Sequence, residues 1–185
     1  MMRIPIGDSG LLLIRGDVTA QAVDAIVNPA NSTLMGGGGV DGAIHRRGGP
    51  AIVEACREIR RSLWPDGLPT GKAVITNAGN LPARYVIHTI GPVWRGGTHN
   101  EPEQLADAYR NSLVLAREEE LRTIAFPSIS TGAYSYPIDL AARIALVTVT
   151  ATVREHPNDF DEIRFVLFTE RDLEVFINEA RSFND

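Results

Sequence analysis

Four consecutive glycines, Gly36 to Gly39, stand between a short apolar run, Ala25 to Val27, and a helical pattern that opens at Asp41. Glycine takes positive φ at no steric cost and lets a ligand lie against the backbone, so such a run serves close approach rather than stability. The helix start that follows adds unpaired N–H groups and the positive end of a dipole, which together favour a phosphate-bearing ligand. A second stretch repeats the arrangement: the apolar run Thr123 to Phe126 empties into Ser128 to Tyr136, with its own glycine, and Pro137 opens another helix. In open α/β folds, ligands sit in the crevice beyond the carboxyl ends of the strands. Two such loops facing one another grip a diphosphate from both sides.

The rest of the chain repeats the strand–helix alternation. Strands are expected at Leu11–Arg15, Asp24–Asn28, Lys72–Asn77, Tyr85–Ile90, Thr123–Phe126 and Ile163–Phe168. Helices are expected from Asp41, over Ala51–Ser62 behind Pro50, over Glu103–Leu121, and from Pro137 to Val153. Asp17 or Thr19 caps a short helical turn reaching about Val23, and Thr169 with Asp172 forms a capping box for a last helix. Alternating strands and helices predict a largely parallel sheet covered on both faces, a three-layer α/β/α sandwich forming one domain over residues 1–185.

Net charge is −5, which argues against a nucleic-acid binder that relies on a basic face. Backbone N–H groups that hold one anion leave no trace in composition, so a single phosphorylated ligand stays compatible with that charge. The lone Cys56 offers neither a disulfide framework nor a thiolate metal cluster, and it falls on the buried face of its helix, where a thiol is inert. Leu11 to Ile14 is the only apolar run near the N-terminus and is far too short for a signal or membrane segment. The chain is expected to be cytoplasmic and, with nothing demanding an oligomer, monomeric.

Two rival nucleotide motifs are weaker. Gly37 to Gly42 matches G-x-G-x-x-G, but Pro29 to Gly36 separates it from its strand, and the downstream acids Glu54 and Glu58 lie in a helical pattern. Lys72 follows Gly71, yet Ala73 stands where a P-loop needs a magnesium-binding hydroxyl.

Taken together, Gly16 to Thr19, Asn28 to Asn31, Gly36 to His45, Tyr85 to Pro92 and Phe126 to Tyr134 resemble the motifs of macrodomains, in family order from Leu11 to the final helix. More narrowly the chain resembles the MacroD type, which hydrolyses ADP-ribose esters. The resemblance implies a mixed sheet with an ADP-ribose cleft across its top, and no cofactor or metal. It also implies roles: Asp17 accepts from the adenine amino group, Val18 adds a backbone contact, and Phe168 stacks on adenine. Asn28 and Asn31 belong to the site, with Asn31 beside the distal ribose. Gly37, Gly38, Gly39 and Val40 match the first phosphate loop, and Asp41 the acidic residue near the scissile ester. Ser130, Thr131, Gly132, Ala133 and Tyr134 match the second loop, which wraps the diphosphate and sets an aromatic ring by the distal ribose. Pro29 replaces a frequent alanine, and Arg46-Arg47 stand where small residues are common.

Each residue also has a plainer role. Asp41 and Asp17 can simply cap helical turns. Asn31 can satisfy turn backbone, and Tyr134 and Phe168 can be core aromatics. His45 lies one turn after Asp41 and shares its face, as a metal pair would; His88, in an apolar strand, reads as structural. Three functions follow. The first is a hydrolase of O-acetyl-ADP-ribose and of mono-ADP-ribosylated aspartate or glutamate on proteins, in which Asp41 directs water. The second is a reader that binds ADP-ribose without cleaving it. The third is a regulatory partner of RNA-processing enzymes.

Overall fold

The computed structural model describes residues 1–183. Seven strands form one sheet: β1 Met2–Ile6, β2 Ser9–Arg15, β3 Ala25–Pro29, β4 Ala73–Asn77, β5 Tyr85–Thr89, β6 Thr123–Phe126 and β7 Glu162–Leu167. Their order is β1-β2-β7-β6-β3-β5-β4. The five inner strands run parallel, and the edge strands β1 and β4 are antiparallel to their neighbours. Five helices cover it: α1 Gly39–Gly48, α2 Pro50–Ser62, α3 Glu101–Glu118, α4 Ile138–Glu155 and α5 Glu170–Ser182. The α/β/α sandwich and the mixed sheet are as expected.

Strand periodicity builds two cores, one on each face of the sheet. In β3, Ile26 points toward α1 and α2, where Ile44, Ile52, Cys56 and Leu68 meet it with Val86 and Val166. Its neighbours Ala25 and Val27 point the other way, into the layer of α3, α4 and α5. That second core carries an aromatic run from Tyr109 to Phe126 (centroids 5.3 Å apart), on to Phe165 (5.8 Å) and Phe176 (5.3 Å). Burying one such ring contributes about 1.5–3 kcal/mol, so the cores rather than the loops hold the sheet edge in place.

The sequence reading omitted β1. Its residues alternate between partial burial and exposure, and Pro5 sits inside it opposite Gly10. Proline cannot donate to a ladder and is confined to edge strands, so what weakens the strand signal is also what marks an edge. Elsewhere, boundaries move by one to three residues: α1 begins at Gly39 rather than Asp41, and α3 runs Glu101–Glu118 rather than Glu103–Leu121. The turn after β2 is a single 3₁₀ turn, Val18–Ala20. Thr169 does cap α5, its hydroxyl accepting from the N–H of Asp172 at 3.1 Å. Among the described residues, no helix is long and apolar enough to cross a membrane.

Because the inner strands are parallel, β2, β7, β6, β3 and β5 all end at one edge of the sheet. Both glycine-bearing loops leave from that edge, from the neighbouring strands β3 and β6.

Candidate functional site

The two loops enclose a cleft of about 320 Å³, lined from β3 by Pro29, Ala30, Asn31 and Gly37 to Asp41 and from β6 by Ser128, Ser130, Gly132, Ala133 and Tyr134; Gly91, beyond β5, completes it. In the first loop, Gly36 and Gly39 take φ of 89° and 56°, left-handed turns that glycine makes without strain where the loop runs into α1. Asn31 organises that bend from inside. Its Oδ1 accepts from the N–H and hydroxyl of Thr33, and its Nδ2 donates to the Gly36 carbonyl at 3.0 Å. In the second loop, Ser130 sits at φ 67°, its carbonyl accepts from the N–H of Tyr136 at 3.0 Å, and the Tyr134 carbonyl accepts from the N–H of Trp94 at 2.9 Å.

These bonds use the carbonyls and leave the amides over. Among the described residues, the N–H groups of Gly37, Gly38, Gly39, Val40 and Asp41 donate to no protein acceptor, and neither do those of Ser130 to Tyr134. Gly39 to Asp41 form the first turn of α1, where the helix leaves such groups unpaired and its dipole is positive. Rows of free amides on both walls are able to receive an anion with oxygens on two sides.

Asp41 lies at the base of the first wall and is only 6% exposed. Its Oδ1 accepts from Asn28 Nδ2 at 2.8 Å and lies 3.4 Å from His45 Nε2, one turn along α1. Its Oδ2 turns the other way, toward Gly37: a Cβ built on that glycine would stand 3.1 Å from Oδ2 and 3.3 Å from Asn31 Nδ2. Burial raises the Asp41 carboxyl above its ordinary range, while the Asn28 N–H and the His45 ring pull against it. A half-desolvated carboxylate with one anchored and one open oxygen can orient a water molecule. Among the described residues, no third metal-ligating side chain joins Asp41 and His45.

The remaining site candidates lie outside this cleft. Asn28 is fully buried one layer behind Asp41 and does not reach the cleft surface. The Thr131 hydroxyl donates to Ser128 Oγ at 2.9 Å, tying the second loop to itself. Asp17, Val18 and Phe168 gather at the ends of β2 and β7, where the Gly16 N–H donates to the Leu167 carbonyl at 2.9 Å. Asp17 caps its 3₁₀ turn through Thr19 and pairs with Arg47 at 2.8 Å, while Val18 is buried. Phe168 is 76% exposed, so it is not a core aromatic.

Sequence reasoning placed Ser128 in the second loop and Gly91 in a motif without singling out either as a lining residue, and it missed the partnership of Asn28 with Asp41, which needs α1 lying beside β3. It also missed Glu101. That buried carboxylate accepts from the N–H groups of Arg95 and Gly97, at 2.8 and 3.1 Å, and from that of His99, and so folds the loop behind Tyr134. Burial opposes its charge, yet the surrounding N–H groups, its own included, outweigh that and pull the carboxyl down to about 2.

Against known proteins, the macro domain family model matches residues 27–145. A macro domain-containing protein of Caldanaerobacter subterraneus is 58% identical over 89% of this chain and 91% of its own length. The O-acetyl-ADP-ribose deacetylase of Escherichia fergusonii is 54% identical over 91% of this chain and 93% of its own. The Oceanobacillus iheyensis macrodomain with ADP superposes with a TM-score of 0.93 at 44% identity, covering 99% of this chain and 96% of that one. With the sheet order, the paired loops and these likenesses in agreement, the chain belongs to the macro domain family.

Proposed function

We propose that the chain is an ADP-ribose-binding hydrolase that cleaves esters on the distal ribose: O-acetyl-ADP-ribose, and ADP-ribose attached to aspartate or glutamate of proteins. The observation that carries this is the pair of facing loops whose amides are unspent, with the open oxygen of Asp41 at one end of the cleft. The 54%-identical deacetylase and the ADP complex of the Oceanobacillus protein support the ligand class.

In this mechanism the amides of Gly37 to Val40 and Ser130 to Tyr134 clasp the diphosphate, the helix dipole of α1 adding to the attraction. The Tyr134 ring and the Asn31 amide hold the distal ribose, and the second N–H of Asn31 Nδ2 is the one that faces the cleft beside Gly37. At the other end, Phe168 offers an exposed platform for adenine, while Asp17 accepts from its amino group and Val18 lines it. Asp41 Oδ2 orients a water molecule toward the ester carbonyl. Attack adds the water oxygen to that carbon, the bond to the ribose oxygen breaks, and the products are a carboxylic acid and the free hydroxyl of ADP-ribose. Placing the nucleophile does most of the work, because a carboxylate is a weak base at neutral pH. No step calls on a cofactor, and the work suits a cytoplasmic monomer acting on small esters and modified proteins.

Release of acetate from O-acetyl-ADP-ribose tests the activity; the result expected is turnover by the wild type and its loss in Asp41→Ala. A reader that binds ADP-ribose without cleaving it has one observation in its favour: Asn31 spends both ends of its amide on its own loop. Tight binding in calorimetry with every ester left intact would select it.

A further inference from the structure

Behind Asp41 the protein buries a directional row of polar side chains that the hydrolytic step does not touch. Asn28 on β3 and His88 on β5 are paired in register and wholly buried. Both point to the α1–α2 face, which is otherwise apolar. Asn28 Nδ2 lies 2.8 Å from Asp41 Oδ1 and 3.0 Å from His88 Nδ1. On the far side of the ring, His88 Nε2 lies 2.8 Å from the hydroxyl of Thr76 on β4, which itself donates to the Asn77 carbonyl at 2.9 Å.

The donors and acceptors in this row admit one arrangement. The ionised Asp41 carboxylate accepts from Asn28 Nδ2, which turns the amide nitrogen toward His88 Nδ1 as well. Nδ1 therefore accepts, and in the neutral ring Nε2 carries the hydrogen and donates to Thr76 Oγ1, whose own hydroxyl donates to the Asn77 carbonyl. Asn28 has two N–H bonds on one nitrogen; one goes to His88 and the other to Asp41. Turning the amide over would set Oδ1 against a carboxylate and a lone pair at once. The buried Asn28 Oδ1, which finds no partner, is consistent with the amide being oriented by its donors alone.

We propose that His88 and Asn28 are positioning residues for Asp41: the ring, locked as the Nε2–H tautomer, aims the Asn28 amide so that it pins Asp41 Oδ1 and leaves Oδ2 facing the cleft. Every titratable group that faces the row fits this. His45, on α1, lies 3.4 Å from the same Oδ1, and its ring centroid is 6.2 Å from that of His88. Cys56, on α2, places its sulfur 3.8 Å from His88 Nε2, and burial and the Asp41 charge push its thiol up to about 12, so it stays neutral. Burial and the nearby His45 hold His88 down at about 3, so the ring is an uncharged acceptor throughout the working range. Mixed occupancy, with the ring accepting from the amide on some molecules and donating on others, would loosen the carboxylate; the Asn28 amide, held by Asp41 on one side, and Thr76 Oγ1 on the other oppose it.

Only the catalytic consequence rests on the hydrolase proposed above; the positioning itself is read without turnover. Nitrogen NMR of the wild type is expected to show His88 with Nε2 protonated and Nδ1 bare from pH 5 to 9. Carbon NMR of the Asp41 carboxyl is expected to titrate at higher pH in His88→Leu, which takes from Asn28 the acceptor that aims its amide, and to return toward wild type in His88→Asn, whose Oδ1 replaces the Nδ1 acceptor. A role in packing alone would leave the Asp41 titration of both variants where it is in the wild type. The acid limb of ester hydrolysis moves with the carboxyl while the ADP-ribose Kd stays unchanged. A proton on Nδ1, or an Asp41 titration indifferent to both substitutions, overturns the positioning. Correct tautomer and titration with no ester cleaved overturns the hydrolase instead.

Discussion

The two ends of the ligand edge are built differently. At the Asp41 end, Asn28 and His88 are fully buried, Asp41 nearly so, and each side chain is fixed by the next. At the end formed by β2 and β7, Phe168 is 76% exposed and Asp17 shares its carboxylate with Arg47 and Thr19 at the surface. The contrast matches what each end is asked to do in the proposed reaction. Directing water demands a carboxylate held to a fraction of an ångström, which only buried partners supply. Holding a purine ring demands area, which a solvent-facing aromatic gives without ordering much else.

Four substitutions break or sharpen that contrast. Asp41→Ala should lower kcat for ester hydrolysis by about 10²–10⁴, the usual worth of a positioned acid–base group, with ADP-ribose affinity in calorimetry left nearly intact. Equal losses in both would remove the division of labour. Phe168→Ala should do the opposite, weakening ADP-ribose by about 1–3 kcal/mol in the same calorimetry while kcat at saturating ester is kept. Gly42→Ala sets a Cβ 2.4 Å from the Gly37 carbonyl, so the first loop must shift, and thermal unfolding should register about 1–3 kcal/mol of destabilisation along with weaker binding. The smallest effect concerns stability alone. Burial holds the folded-state pKa of Asp41 above its unfolded value, so the contribution is most favourable below about pH 4 and declines as pH rises through the folded value. Asp41→Asn should therefore melt higher than wild type at pH 7, the advantage shrinking toward pH 4; a variant that melts lower at pH 7 contradicts the cost assigned to burial.

What lies behind Asp41 was harder to read from the chain alone than Asp41 itself. Glycines and helix starts are local signals, and they located both loops, the five inner strands and α1 without tertiary knowledge. Asp41 and Asn31 follow from the same stretch. Asn28 could be placed on its strand but not behind Asp41, because that contact depends on α1 folding back over β3. His88 read as a structural histidine in an apolar strand; that it accepts from Asn28 depends on β5 lying beside β3, sixty residues further along the chain, and not on any local pattern. Glu101 was invisible for a related reason: a helix-opening glutamate looks like ordinary dipole complementarity until the preceding loop wraps it. Phe168 went the other way. By frequency an aromatic at a strand end is core, and only the resemblance suggested otherwise; its 76% exposure agrees with the proposed adenine contact and had no local signal.

The central claim is that backbone amides of two facing turns, rather than cationic side chains, hold a pyrophosphate. Titrating labelled protein with ADP-ribose while following amide resonances tests it most directly. The amides of Gly37 to Asp41 and of Ser130 to Tyr134 should shift together and saturate at one affinity; saturable binding that leaves both sets unmoved would contradict the account.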